Sequence, residues 1–348
     1  MQVVLNEPKK GRGHLVVPDG VGRFLSSKGV KCAPLEYETY RGQDLNGCSI
    51  LISRYGGGGD LLFITAVTAE LRRRFPSAQI TVACGANWSP LFATNRDVNR
   101  FVRYPFTLEL LNAHDYYLTF EGLIEGSSTG EPSRRNVYDL FFDHCGLDPS
   151  MITPESKRPC WKPAPGDLKK SRRLYDQLTA TTSRGVIGLQ WRTSSILRTY
   201  PPRRLAELCQ QLVAEGYQVL LLGRPRELPR GPLPAGILRI GRQPITVLMA
   251  LLPRLELLVA PDSFFTHAAA AQNVPTVALY GPFSADSRTK YYPRCRTLEV
   301  SSDCAPCFKH GHRPCTDNLN GYSRCWYNLS VEEIFTTCKE VLNDEARD

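Results

Sequence analysis

Two stretches of the chain alternate short apolar runs with segments of helical periodicity. In the first stretch the pattern predicts a buried strand over 49–53, then apolar residues recur at helical spacing from Asp60 until Pro76 ends the helix. A second strand is predicted over 79–84. Strand, glycine turn, helix and strand in this order are typical of a βαβ unit, and therefore of a parallel sheet.

A second alternating block follows a segment rich in Pro, Lys, Arg and Ser over 149–184. Its predicted strands are continuous runs of Val, Leu and Ile, as expected for a sheet covered by helices on both faces. Ser330 with Glu333 three residues later forms a capping box for a last helix that ends near residue 342. We predict strands over 186–191, 218–222, 237–240, 255–260 and 276–280, and helices over 203–215, 245–252 and 266–272.

These blocks predict an α/β protein with two Rossmann-like, doubly wound domains. Residues 1–47 show little periodicity and are expected to form an N-terminal extension that packs on the first domain. The first domain is predicted over 48–165 and the second over 166–348, with 149–184 linking them. Ligands of such sheets bind at the carboxyl ends of the strands, so we expect the two domains to face each other across a cleft.

Composition excludes several classes of protein. Of 348 residues, 42% are hydrophobic and 22% charged, which is ordinary for a globular protein and excludes long disorder. No apolar run is long enough to span a membrane, and the first residues turn polar too early for a secretory signal, so we expect a cytoplasmic protein. The net charge of +9 favours an anionic partner: nucleotide-sugar phosphates, an acidic membrane surface contacted peripherally, or nucleic acid. Solvated helix faces are the alternative.

The turn after the first strand holds four glycines followed by Asp60. It lacks the Gly-Lys-Ser/Thr ending of a P-loop, and Cys84 stands where a dinucleotide site needs an acidic residue. Gly58 and Gly59 would let an acceptor substrate approach the backbone. Asp60 is either a helix cap or a general base that takes a proton from an acceptor hydroxyl.

Polar and basic residues follow the predicted strands of the second block. Asp262 precedes a helix whose first amides could bind a diphosphate, although a capped, buried helix with His267 in the core is the alternative. Arg192 and Arg198 could neutralise phosphates bidentately, and the absence of an Asp-x-Asp pair indicates that no catalytic divalent metal is used. The candidate donor-binding residues are Arg192, Thr193, Arg198, Thr199, Gly223, Asp262, Ser263, Phe264, Phe265 and His267.

Four of the twelve cysteines lie within residues 304–325, with His310 and His312 between them. Thiolates at this spacing on a Pro/Gly-rich loop suit tetrahedral zinc or iron, whereas two disulfides or free thiols are the alternative. Four protein ligands leave no open position, so the metal would have a structural role beside the donor site. The candidate ligands are Cys304, Cys307, Cys315 and Cys325.

Three motifs resemble those of glycosyltransferase family 9, the ADP-heptose heptosyltransferases. They are Arg-Tyr-Gly-Gly-Gly-Gly-Asp-Leu-Leu over 54–62, Arg-Thr-Tyr-Pro over 198–201, and Asp-Ser-Phe-Phe-Thr-His over 262–267. Their order and spacing carry the resemblance from residue 49 to about 342. The cysteine loop resembles the iron-binding loop of protein O-heptosyltransferases.

The resemblance implies a GT-B fold with Asp60 as the catalytic base. It also implies that Arg192 and Arg198 contact the donor phosphates and that Asp262 with the following amides holds the donor. The chain departs from the family at Phe264, where glycine is usual, and at Arg198, where lysine is usual.

These observations predict an inverting glycosyltransferase. Its donor would be a nucleotide-diphosphate sugar, with an ADP-linked heptose as the first candidate, and its acceptor a lipopolysaccharide core sugar or a protein side chain. Two alternatives remain open. The enzyme could modify a hydroxylated base in DNA, or the scaffold could bind a nucleotide sugar or DNA without catalysis, in which case no nucleoside diphosphate would be released.

Overall fold

The computed structural model describes residues 2–4, 14–17, 19–126, 131–178, 184–311 and 315–345. The chain divides into two compact units. The first unit contains residues 1–130 and 137–160, and the second contains 131–136 and 161–348. No helix within the described ranges is both long and apolar enough to cross a membrane.

The first unit contains eight described strands and four described helices. The strands are β1 (Gln2–Val4), β2 (Leu15–Val17), β3 (Cys32–Pro34), β4 (Ser49–Ser53), β5 (Gln79–Cys84), β6 (Arg100–Arg103), β7 (Phe106–Thr107) and β8 (Tyr116–Thr119). The helices are α1 (Asp19–Ser27), α2 (Gly58–Arg74), α3 (Leu108–Asn112) and α4 (Val137–His144).

A parallel sheet of order β6-β5-β4-β8 forms the Rossmann-like part of this unit. The predicted strands over 49–53 and 79–84 are confirmed as β4 and β5. Helix α2 joins them, and most of its apolar residues are buried, among them Leu61 and Val67. The sequence therefore predicted this βαβ unit correctly, apart from the start of α2, which lies two residues before Asp60.

The N-terminal segment 1–47 is more regular than the sequence indicated. It contributes β1, β2 and β3 to an antiparallel sheet of order β3-β1-β2-β7. Through β7, this sheet joins the described part of the segment to the rest of the first unit. The strands have three residues each, which is too short to produce a recognisable period along the chain.

The second unit contains eight described strands and six described helices. The strands are β9 (Val186–Gln190), β10 (Gln218–Leu222), β11 (Ile237–Arg239), β12 (Leu257–Pro261), β13 (Thr276–Tyr280), β14 (Cys295–Glu299), β15 (Asn318–Leu319) and β16 (Tyr322–Ser323). The helices are α5 (Pro165–Leu178), α6 (Pro202–Ala214), α7 (Ile245–Leu251), α8 (Phe264–Ala270), α9 (Asp286–Thr289) and α10 (Val331–Glu345).

Six of these strands form one parallel sheet of order β11-β10-β9-β12-β13-β14. The strand order reverses between β9 and β12, and the crevice at such a reversal is where ligands of open α/β sheets bind. The predicted strands are confirmed to within two residues at each end. The predicted helix over 266–272 starts and ends two residues earlier, so its first turn lies directly after Asp262.

Candidate functional site

Asp60 is the third residue of α2, and each oxygen of its carboxylate has a partner. Oδ2 accepts a hydrogen bond from the backbone N–H of Gly57 at 2.9 Å, and Oδ1 lies 3.1 Å from Nη2 of Arg54. The side chain is 26% exposed, so part of the carboxylate faces solvent. Asp60 therefore closes the first turn of its helix while its side chain stays partly exposed.

The guanidinium of Arg54 holds this carboxylate in place. The Arg54 side chain itself is only 1% exposed. Its guanidinium donates to both carboxylate oxygens of Glu125, at 2.6 and 3.2 Å, and to the carbonyl of Phe120 at 2.8 Å. Burial lowers the pKa of Arg54, but the negative charges of Asp60 and Glu125 outweigh it and raise that pKa above its usual value. The guanidinium is a fixed positive charge.

Glu121 is a third carboxyl group beside Arg54. It accepts a hydrogen bond from the backbone N–H of Tyr55, which is the residue after Arg54. Burial raises the pKa of Glu121 to about 7, assisted by the charges of Glu125 and Asp60 and opposed by Arg54. Sequence reasoning missed Glu121 and Glu125. The signal was available, because both follow β8, the neighbour of β4 in the sheet.

The glycine turn is shaped around the Asp60 side chain. A Cβ atom on Gly56 would lie 2.6 Å from Oδ2 of Asp60, closer than real Cβ contacts allow, whereas one on Gly57 would lie at an ordinary 3.6 Å. Gly58 is buried and begins α2, and Gly59 is half-buried in its first turn. Close packing against the carboxylate therefore requires glycine at position 56.

In the second unit, residues 192–200 form a loop that follows β9 and contains a short 3-10 turn, Ile196–Arg198. Two predicted donor-binding residues use their hydroxyls to hold this loop together. The Thr193 hydroxyl donates to the Ser195 carbonyl at 2.6 Å, and that of Thr199 donates to the same carbonyl at 2.9 Å. Arg192 is exposed and donates from Nη2 to the Tyr322 hydroxyl at 3.2 Å.

Arg198, Asp262 and His267 are brought together, as the sequence predicted for a donor site. Nη1 of Arg198 donates to the backbone carbonyl of Asp262 at 2.9 Å and lies 3.6 Å from its Oδ2. Oδ1 of Asp262 is 3.8 Å from Nε2 of His267, whose Nδ1 is 2.9 Å from the Tyr292 hydroxyl. Asp262 and His267 are both buried, so Arg198, 26% exposed, is the member of the group that can reach a ligand.

The remaining predicted donor residues surround this group. The Ser263 hydroxyl donates to the side-chain oxygen of Gln190, the last residue of β9, a polar partner that sequence reasoning missed. Phe264 is half-buried at the start of α8 and packs edge-on against buried Phe265. Gly223 follows β10 directly, with φ +154°. The predicted residues thus follow β9, β10 and β12, three neighbouring strands of one sheet.

The four cysteines of residues 304–325 also lie in the second unit. Cys304 is exposed, and the other three are half-buried. Burial raises the pKa of Cys325 to about 11, and charges on the other three thiols add to the rise. Within the part of the chain that the structure describes, no three His, Cys, Asp or Glu side chains converge in the geometry of a metal site. His310 packs against Phe283, and His312 lies outside the described residues.

Comparison with known proteins agrees with this architecture. The sequence model of glycosyltransferase family 9 (heptosyltransferase) matches residues 157–315, a stretch that contains the Arg198 and Asp262 group but not Asp60. Lipopolysaccharide heptosyltransferase 2 of Salmonella typhimurium is 25% identical over 159 residues, which are 43% of this chain and 44% of that protein. The chain spans less than half the length of the curated relatives it matches.

Solved structures match over most of the chain. A glycosyltransferase family 9 protein from Veillonella parvula has a TM-score of 0.65 at 17% identity and covers 87% of this chain and 99% of its own. The iron-containing dodecameric glycosyltransferase TibC from enterotoxigenic E. coli has a TM-score of 0.62 at 14% identity. The match covers 90% of this chain and 79% of TibC. The protein therefore has the GT-B fold with two Rossmann-like domains, and in sequence it is similar to the heptosyltransferases of family 9.

Proposed function

We propose that the protein is an inverting glycosyltransferase that uses an ADP-linked sugar, with heptose as the first candidate. The observation that carries the proposal is the pairing of Arg198 with Asp262 where the strand order of the second sheet reverses. Together with exposed Arg192, this pairing puts two guanidinium groups where an α/β sheet binds its ligands. The similarity of the same stretch to family 9 supports a nucleotide-sugar donor.

In the proposed reaction, Asp60 takes the proton of the acceptor hydroxyl as its oxygen attacks the anomeric carbon. The bond between that carbon and the diphosphate oxygen breaks, and the nucleoside diphosphate leaves with the electron pair. Attack in line with the departing group inverts the anomeric configuration. Arg192 and Arg198 supply positive charge to the leaving diphosphate, which replaces the role of a divalent metal.

The neighbours of Asp60 suit a base of this kind. Arg54 and the Gly57 amide fix the orientation of the carboxylate while leaving 26% of the side chain exposed. A base held in one rotamer loses little entropy when the acceptor hydroxyl arrives.

The acceptor that we propose is a lipopolysaccharide core sugar or a protein side chain. The first is supported by relatives named lipopolysaccharide heptosyltransferase 2. The second is supported by the four-cysteine segment, which the chain would share with protein O-heptosyltransferases. The twelve free thiols suit a reducing compartment, so we place the reaction in the cytoplasm.

We also propose that Cys304, Cys307, Cys315 and Cys325 hold a structural iron or zinc ion. Four thiols are a donor set that both metals accept in tetrahedral geometry. The four lie in one segment, and the other three thiols are near enough to Cys325 to add to the rise of its pKa. TibC, a neighbour in fold, is described as iron-containing. With all four positions filled by thiolates, the ion would order the loop and take no part in the transfer.

The proposal is tested by titrating the purified protein with ADP-heptose, other ADP-sugars and ADP, and then by mass spectrometry of acceptors. We expect ADP-heptose to raise the melting temperature and ADP to be released once a lipopolysaccharide core or an acceptor protein is added. Binding of the donor without release of ADP in the presence of either acceptor would favour a binding protein instead. Failure to bind any nucleotide sugar would refute the proposal.

A further inference from the structure

The loop 192–200 is held by a part of the chain that lies more than a hundred residues downstream. The indole N–H of Trp326 donates to the carbonyl of Leu197 at 2.8 Å. The hydroxyl of Ser195 donates to the carbonyl of Gly311 at 2.5 Å. With the bond from Arg192 to the Tyr322 hydroxyl, three separate hydrogen bonds join the loop to the segment 311–326.

Trp326 is itself held firmly in place. Its side chain is completely buried, and a Cβ atom added to Gly281 would lie 2.5 Å from its Cζ2 atom, so the indole fills the space that this glycine leaves. The ring of Tyr200 packs edge-on against it, with centroids 5.7 Å apart and planes at 90°. Nη1 of Arg204 donates to the carbonyls of Trp326 and Tyr327 at 3.2 and 3.1 Å. The indole therefore acts as a fixed point rather than as a mobile ring.

The contacts fall on the parts of the loop that matter for phosphate binding. Leu197 immediately precedes Arg198, and its carbonyl belongs to the 3-10 turn that directs the Arg198 side chain towards Asp262. Tyr322 contacts the other arginine, Arg192, at its guanidinium. An apolar ring at position 326 would fill the same core volume, but only an indole N–H also restrains the loop carbonyl. The hydrogen bond thus adds a positioning role to a packing role.

We propose that Trp326 and Tyr322 are positioning residues for the donor diphosphate. Trp326 fixes the backbone before Arg198, and Tyr322 fixes the guanidinium of Arg192. Through these contacts, residues 322 and 326 control how well the two arginines are arranged before the donor binds. This inference rests on the proposed function, because it assigns both arginines to the donor phosphates.

The test uses the full chain and three variants: Trp326→Phe, Tyr322→Phe and a control, Trp161→Phe. The control removes a buried indole of the same unit whose N–H has no hydrogen-bond partner among the described residues. Tyr322→Phe deletes one hydroxyl from a half-buried ring, so it remains informative should Trp326→Phe fail to fold. Amide hydrogen exchange over 192–200 is measured without ligand, followed by the affinity for ADP and the steady-state constants.

We expect faster exchange over 192–200 in Trp326→Phe, and ADP binding that is about 3- to 10-fold weaker in both test variants, the value of one or two hydrogen bonds. The KM for the donor should rise by a similar factor, and kcat should fall as well, because Arg192 and Arg198 also supply charge to the leaving diphosphate. Trp161→Phe should match the unsubstituted protein in exchange and in affinity.

Two results overturn the inference, and they are distinguishable from a failure of the proposed function. Unchanged exchange over 192–200 in a folded Trp326→Phe shows that the indole does not hold the loop. Faster exchange over 192–200 together with equal ADP affinity in the unsubstituted protein and both test variants shows that the loop is held but that this does not matter for the donor. If the unsubstituted protein binds no nucleoside diphosphate, the proposed function is refuted. The exchange data over 192–200 then still test whether Trp326 holds the loop.

Discussion

The carboxylate of Asp60 lies 3.1 Å from a guanidinium nitrogen of Arg54, whose side chain is 1% exposed. The two residues are six positions apart in sequence. Arg54 directly follows β4, Asp60 lies in the first turn of α2, and the glycine turn between them brings their side chains into contact. The guanidinium also holds Glu125, so one buried charge organises two carboxylates. This relationship explains why the motif over 54–62 has an arginine at its start and an aspartate six positions later.

Replacing Arg54 should destabilise the first unit. In Arg54→Ala, we expect the free energy of unfolding to fall by about 2–4 kcal/mol, somewhat less than for a fully buried pair, because both carboxylates are partly exposed. The control is Arg73→Ala. Arg73 pairs with Glu70 but is 65% exposed, and Glu70 keeps a second partner in Arg74, so the loss should stay below about 1 kcal/mol. Equal losses in urea unfolding would contradict the role given to Arg54.

Gly56 and Gly57 provide a matched pair of substitutions. Gly56→Ala should push the Asp60 carboxylate out of position and lower kcat by about 10- to 100-fold, since its Cβ would lie 2.6 Å from Oδ2. Gly57→Ala, with the same contact at 3.6 Å, should leave kcat within about twofold. Steady-state kinetics at saturating donor separate the two. If both variants are equally active, the turn does not position Asp60.

Glu121 predicts a particular dependence of stability on pH. Its pKa of about 7 in the folded protein exceeds the value of about 4.3 expected when unfolded, so the folded state retains a proton that the unfolded state has lost. This group therefore makes stability fall as pH rises from about 4.5 to 7, by on the order of 1–3 kcal/mol.

Glu121→Gln should remove that fall, leaving the variant more stable than the unsubstituted protein at pH 8 and flatter in its pH profile. Glu36→Gln, which alters an exposed glutamate of the same unit, is the control and should follow the unsubstituted curve. Thermal unfolding between pH 4 and 8 provides the measurement. Parallel curves for all three proteins would show that Glu121 is not perturbed.

The cysteine segment leads to a prediction about metal content. Elemental analysis of the purified protein should find about one iron or zinc ion per chain, and substitution of serine for any of the four cysteines should reduce it strongly. Cys160→Ser is the matched control, because Cys160 is exposed like Cys304 but lies in the first unit. Retention of metal in Cys304→Ser and Cys325→Ser, or its absence from the unsubstituted protein, would refute the site.

The sequence predicted the parallel sheets well because their strands are continuous apolar runs with glycine or polar residues at the ends. It also brought Arg198, Asp262 and His267 to one place, since residues that follow neighbouring parallel strands must meet at one edge of the sheet. The sequence could not predict which partners the side chains inside loops would hydrogen-bond to. The hydroxyls of Thr193 and Thr199, two predicted donor-binding residues, both donate to a carbonyl within the loop.

Contacts between distant segments were also beyond the sequence. Nothing in the spacing of Trp326 and Leu197 indicates that they touch, and the role of Arg54 depends on Glu125, 71 positions away. The strands β1 to β3 were missed because three residues carry no periodicity, and their pairing is set by partners elsewhere in the chain. Periodicity along the sequence thus predicts helices and longer strands, whereas the partners of hydrogen bonds between distant segments are seen only in the structure.

The most direct test of the account is the rate of sugar transfer by Asp60→Asn, measured as nucleoside diphosphate release in a single turnover. Asp167→Asn, which alters an acidic residue in the first turn of α5, is the control. If Asp60 is the general base, Asp60→Asn binds ADP within about twofold of the unsubstituted protein but transfers sugar about 10²- to 10⁴-fold more slowly. Transfer by Asp60→Asn at the unsubstituted rate would contradict it.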